Sequence, residues 1–346
     1  MDTGELDGGT AMLIRAVEAA LLADASGMSA IVSSLPRLVI GLVDDDRWNA
    51  LADISCGQPV VAINTGIPIR ILNLLIACFS DPGIFPGVGR RYESEPIRLG
   101  TNGPSMSLYN QGKIFDNVIG TDRLAFAFRL TVMLTRYVAL HEFVHIRNGH
   151  VDLVKSSQPL LAMEENQDSV PGVSNLDFQA MEWDADNCAM LMWLTAAIEA
   201  HQIQGYNKGL EEGGEHLHAL FTTGLLLLWR LTEAIEPASD EPMEQHHPPA
   251  LVRSNFVIFG AGRQAKAYGL PAFDNAHVRA LHEVNVAWAR LTGQPVPTSD
   301  QVADAAEAVI DHNHAIIKHW DTELRPRLVP LNRGNTELSH FHPEYG

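Results

Sequence analysis

The sequence predicts a mainly α (α+β) fold, a set of packed helices with one small β element. Three observations point to it. Apolar residues recur at helical spacing along most of the chain, as in Leu13, Ile14, Val17, Ala20 and Leu21. One short run, Pro59-Val-Val-Ala-Ile-Asn64, has the look of a buried strand. With 346 residues, 46% hydrophobic and 19% charged, the chain can bury a large core.

The elements follow in order. Residues 1–9 read as frayed, and Thr10–Met28 as an amphipathic helix. The segment Ile31–Leu51, with Pro36 and Asp44-Asp45-Asp46, fits no pattern. After the strand and Thr65-Gly66, the run Ile67–Phe79 predicts a core helix. Residues 80–120 carry Asp81-Pro82-Gly83, Pro86-Gly87 and Gly103-Pro104, and predict loops with a short hairpin at Met106–Phe115. Leu124–Ile146 lacks Gly and Pro and predicts a helix, capped by Thr121-Asp122 and stopped by Asn148-Gly149. Val151–Asn175 is polar and reads as a long loop. A second long helix starts at Asn175 or Asp177 and runs to about His201. A third spans Glu215 to about Glu236, and Pro237–Pro249 is an acidic loop. Residues 250–260, 276–292 and 300–324 predict further helices, the last bounded by Pro326. There is no internal repeat.

Charge and composition exclude several classes of partner. A formal charge of −18 without a basic stripe argues against nucleic acid and against an anionic membrane surface. The apolar runs Ile71–Phe79, Leu124–Leu140 and Leu225–Trp229 are short or interrupted by Arg129 and Arg136, so no membrane insertion is expected. The start, Met-Asp-Thr-Gly-Glu-Leu-Asp, is acidic where a signal peptide is basic. Cys56, Cys78 and Cys188 are odd in number and far apart, which predicts reduced thiols in a cytoplasmic protein. No C-x-x-C pair is present for a zinc knuckle.

The chemistry-bearing stretch is Val138-Ala-Leu-His141-Glu142-Phe-Val-His145-Ile-Arg-Asn-Gly149-His150. On a helix, His141 and His145 share a face and can share one metal ion, while Glu142 lies a residue's turn away, placed to act on water. A catalytic zinc needs three protein ligands and an open position. Met181-Glu182-Trp-Asp184-Ala185-Asp186, on the second long helix, answers that need: Glu182 as the third ligand, and Asp186, four residues on, accepting the other ring N–H of His141. Asp184 points elsewhere, toward solvent. The alternative is a solvated acidic face, but acids on so apolar a helix need a partner. Should Glu182 not ligate, His150 is next in line, although beyond the helix stop it more often caps or packs. His216 and His218 face different sides of their helix, and His312, His314 and His319 read as surface. Cys56 either reaches the metal and keeps it latent or is simply packed.

H-E-x-x-H followed on a later helix by E-x-x-A-D resembles the gluzincin metallopeptidases, matched by His141, Glu142, His145, Glu182, Ala185 and Asp186. The run from His141 to Gly149-His150 is similar to the soluble phage-exclusion (Lit-type) peptidases. His247-Pro248-Pro-Ala-Leu-Val-Arg253 resembles the H-P-x(4)-R stretch of Lit-like and heat-shock membrane peptidases. The likeness covers about residues 120–260. It implies a zincin-like metallopeptidase core at 116–265, with an N-terminal region of unclear role at 1–115 and a C-terminal helical region at 266–346 packed on the core. It implies Zn2+ as cofactor and a protein or peptide substrate cut in the cytoplasm, in phage defence or another stress response. In such enzymes an edge strand often holds the substrate, so Met106–Phe115 is either that strand or a surface connection. Glu142 would be the base, and His247 and Arg253 the donors to the oxyanion, with His246 able to replace His247. Arg253 is equally readable as a structural ion pair with a helix acid. Two other classes stay open: a metal-binding regulatory protein with a silent site, and a helical scaffold in which the motifs are coincidental.

Overall fold

A computed structural model describes residues 8–85, 121–157, 163–164, 170, 172–203, 215–235, 247–249, 252–254, 256–257, 274–334 and 337–338. The fold is mainly α with a small sheet, as the sequence predicts. Helix α1 (Gly8–Ile31) buries Leu13, Ile14, Val17, Leu21, Ala25 and Met28, a stripe three to four residues apart. Three strands follow: β1 (Val39–Val43), β2 (Ala50–Ser55) and β3 (Gln58–Asn64). Two of them fall in or next to the segment that pattern could not place. β2 and β3 form a hairpin closed by Cys56-Gly57, whose φ values of 50° and 82° are those of a type I′ turn. β1 lies parallel to β3 on its other side, Val39 facing Val60. A two-residue strand β4 (Met163–Glu164) pairs with the free edge of β2, giving the order β1-β3-β2-β4. Cys56 is exposed on the hairpin turn, away from the packed interior.

Helix α2 (Gly66–Ser80) is buried at every position but Arg70, as a helix so rich in Ile and Leu requires. Helix α3 (Thr121–Arg147) carries the H-E-x-x-H stretch and is the centre of the packing, touching α1, α2, the sheet and the helices that follow. By length and composition Asp122–Arg147 could cross a membrane, but half of its most apolar window is buried in this fold. Arg136, which breaks that apolar run, makes a two-pronged bond to Asp24 of α1 at 2.7 Å for each contact. The predicted hairpin at Met106–Phe115 lies outside the described residues.

At its start α3 is held by one side chain. Arg123, 1% exposed, donates to the carbonyls of Phe79 (2.6 Å), Asp81 (3.3 Å), Ile84 (3.0 Å) and Phe85 (3.0 Å), closing the end of α2 onto α3. No uncharged side chain can satisfy four buried carbonyls at once. Arg123→Met should therefore cost on the order of 3 kcal/mol or more. A urea melt checks this, and a change under about 1 kcal/mol would mean that water takes over the carbonyls.

The polar stretch after α3 is not a single loop. Helix α4 (His150–Ser157) begins at once, and Lys155 fixes it to β2 through Asp53 (2.5 Å) and the Ile54 carbonyl (2.7 Å). Helix α5 (Asn175–Ile203) packs along α3. Helices α6 (Glu215–Ile235) and α7 (Asp274–Thr292) pack on each other, and residues flanking Arg253 are helical too. Helix α8 (Ser299–His319) opens on a reciprocal Thr298–Gln301 cap. Pro326 does not end it. The chain passes through a π-helical turn, Trp320–Leu324, into α9 (Arg325–Leu328), where Pro326 occupies the first turn and its missing N–H costs nothing. His319 is not simply surface: its Nε2 lies 2.9 Å from Asp177 Oδ1, which Arg327 also reaches at 2.9 Å. One continuous apolar cluster runs from Leu13 on α1 to Leu338, through all three predicted regions.

Candidate metal centre

The C-terminal half of α3 is buried almost all round: Tyr137, Val138, Ala139, Phe143, Val144 and Ile146 sit among other side chains, and so do His141, Glu142 and His145. The helix stops where Gly149 adopts φ +84°, a left-handed conformation that glycine takes without strain. A Cβ there would also lie 2.8 Å from the Leu331 backbone. Because α4 starts on the next residue, with Leu153 N donating to Gly149 O at 3.0 Å, His150 is turned back beneath His145.

Three side chains converge. His141 Nε2 and His145 Nε2 are 3.0 Å apart. Glu182 on α5 places Oε2 3.2 Å from His141 Nε2 and Oε1 3.3 Å from His145 Nε2. The three are a buried group able to hold a metal ion. Around a tetrahedral ion with bonds of about 2.0–2.1 Å, neighbouring ligand atoms sit about 3.3–3.4 Å apart, close to the sides of this triangle. Glu182 Oε2 is buried and accepts no directed hydrogen bond among the described residues, as a carboxylate kept for a cation would.

The surrounding shell fixes these donors. Asp186 Oδ1 lies 2.9 Å from His141 Nδ1. Asp186 also accepts from Tyr137 Oη (3.0 Å), Arg253 Nε (2.7 Å) and Arg253 Nη2 (2.8 Å). Of the two readings of Arg253, the geometry displays the ion pair; its Nη2 is 3.6 Å from Glu182. His247 Nδ1 is 3.3 Å from Glu182 Oε2, and at 28% its side chain is the exposed member of a group otherwise 3–7% exposed. Of the side chains around Glu182, His247 is thus the one that reaches solvent. Asp184 corrects its expected place in solvent. It is fully buried, accepts from Asn148 Nδ2 and lies 3.3 Å from His150 Nε2. His246 and the side chains of His216 and His218 lie outside the described residues.

Electrostatics agree with a cation's place. Burial works against a charged His141, but Glu182 and Asp186 outweigh it and hold its pKa well above the usual value. Burial pushes His145 down to about 4, despite Glu182. Burial alone would raise Glu182, yet His247 and His141 hold it well below the carboxylate range. Asp186 is likewise lowered against burial, chiefly by Arg253. A proton on His141 thus balances the Glu182 charge when no metal does. Loading a divalent ion must expel that proton, so affinity should rise with pH, roughly tenfold per unit below the raised His141 pKa. Calorimetry in buffers of different ionisation enthalpy should show about one proton released at neutral pH; none released would contradict this.

Tyr137 escaped the sequence reading; His150, read there as a reserve ligand or a capping or packing residue, packs behind His145 instead. Tyr137 had a signal, since it precedes His141 by four residues and must share its face. No family model, curated protein or solved structure matches this chain.

Proposed function

We propose that this protein is a zinc-dependent endopeptidase of the gluzincin type, acting on a protein or peptide. The observation that carries the reading is the meeting of His141, His145 and Glu182, with Glu142 following His141 on the helix that bears both histidines. Two imidazoles and one carboxylate suit zinc, and three protein ligands leave the fourth position for water or substrate. Bound zinc supplies a Lewis acid for a carbonyl oxygen and makes water acidic enough to attack at neutral pH. Glu142 takes a proton from the attacking water and hands it to the amine nitrogen as the C–N bond breaks. Asp186 holds His141 in orientation, and Arg253 holds Asp186. His247, with Nδ1 3.3 Å from Glu182 Oε2, is then a donor for the oxyanion. The motif resemblance extends the proposal to a cytoplasmic target, in phage defence or another stress response.

The depth of burial favours a second reading, a metal-binding regulatory protein whose site is silent, since His141, Glu142 and His145 are only 2–3% exposed. One experiment separates the two. Zinc-loaded protein is incubated with a proteome-derived mixture, with and without chelator, and new termini are read by mass spectrometry. Chelator-sensitive cleavage supports the peptidase; bound metal without cleavage supports the silent site.

A further inference from the structure

Behind His145 runs a second polar string. Its Nδ1 lies 3.0 Å from His150 Nδ1, so the His150 ring backs His145 and does not compete for the metal. His150 Nε2 lies 3.3 Å from Asp184 Oδ2, an electrostatic contact without a directed hydrogen bond. Asp184 is fixed in turn by Asn148 Nδ2 and by Cys188 Sγ (3.6 Å), and Arg147 Nη1 donates to Asn148 Oδ1 at 2.9 Å. His150 and Asp184 are both fully buried, with Trp320 closing the His150 side at 6.3 Å between ring centroids.

We propose that His150 and Asp184 are positioning residues that fix the tautomer of His145, keeping its proton on Nδ1 and its Nε2 lone pair on the metal centre. This inference rests on the metal-centre reading above. The polarity follows from the carboxylate. Asp184 only accepts, so the His150 proton belongs on Nε2, leaving Nδ1 with a lone pair. The single proton between the two Nδ1 atoms then belongs to His145, whose Nε2 is left bare. Running the string the other way would aim a lone pair of His150 at Asp184 and a proton of His145 into the triad. Each ligand histidine is thus backed by a carboxylate, His141 directly through Asp186 and His145 through an intervening imidazole. No feature of the sequence motif requires the second arrangement. It depends on Gly149 turning the chain, which brings His150 under His145.

The test compares zinc affinity, by chelator competition at fixed pH, of wild type, His150→Phe and His150→Asn. Phenylalanine fills the space without an acceptor; the asparagine Oδ1 can stand where Nδ1 stood. Loss of such an outer partner typically weakens metal binding about 10- to 100-fold. We expect that loss for His150→Phe and recovery to within a few-fold of wild type for His150→Asn. Equal affinity of His150→Phe and wild type would overturn the relay while leaving the metal centre intact. An asparagine variant as weak as the phenylalanine one would overturn the acceptor role. A wild type that binds no zinc would remove the metal reading itself. Should His150→Phe fail to fold, ring 15N correlations of metal-free wild type decide: a proton on His145 Nδ1 supports the relay, and a proton on Nε2 sinks it.

Discussion

Glu142→Gln should retain a full complement of zinc and lose peptide hydrolysis. The substitution keeps the size and the buried place of Glu142 and leaves all three converging ligands untouched. What it removes is the carboxylate that can take a proton. Positioned general bases contribute about 10²- to 10⁴-fold, so residual cleavage should fall by at least that factor. Expressing wild type and Glu142→Gln in the same cells and comparing protein termini would expose the substrates as well. Cleavage at the wild-type rate in the variant would put the base elsewhere and end the proposed mechanism.

Glu182→Ala acts on binding instead. It takes away the one anionic ligand and leaves two histidines with nothing to neutralise a divalent charge in a buried place. It also strips His247 and Arg253 of a carboxylate 3.3 and 3.6 Å away. Metal content after dialysis should drop well below one equivalent, and hydrolysis should vanish with it. Stoichiometric metal in that variant would mean another third ligand. The sequence offers His150 for that place, but its ring faces His145 Nδ1, on the wrong side of the triad. His247 would be the replacement to examine.

The long helices were legible for different reasons: α1 carries the period that one-sided burial imposes, α2 is rich in Ile and Leu, and α3 and α5 are long stretches without Gly or Pro. The same period announced the triad: residues four apart on a helix must face one way, so His141 with His145 and Glu182 with Asp186 come as pairs. The sheet was half legible. β3 is an unbroken apolar run, whereas β2, Ala-Leu-Ala-Asp-Ile-Ser, looks like nothing in particular until it is paired. Asp184 was misplaced because a helix wheel assumes one wet side, and α5 at that level has none; Trp183, Asp184 and Ala185 are all buried. His150 was beyond reach for another reason. Its position depends on a glycine turn and on Leu331, nearly two hundred residues away, and such closeness leaves no trace in local pattern.

That distance bears on when the packing behind His150 can form. The C-terminal residues wrap the far end of α3: Arg333 grips Asp152 at 2.8 Å through both nitrogens, its amide reaches the Arg147 carbonyl at 2.8 Å, and Trp320 walls in His150. Trp320 and Arg333 lie about 170 and 180 residues beyond His150 in the chain. Synthesis proceeds from the N-terminus at about 5–20 residues per second, so the H-E-x-x-H helix exists for many seconds before its bracing does. During that interval a nascent chain has the ligands but not the wall behind them. Order of translation thereby fixes an order of packing: the wall behind His150 can close only after Trp320 and Arg333 have been made.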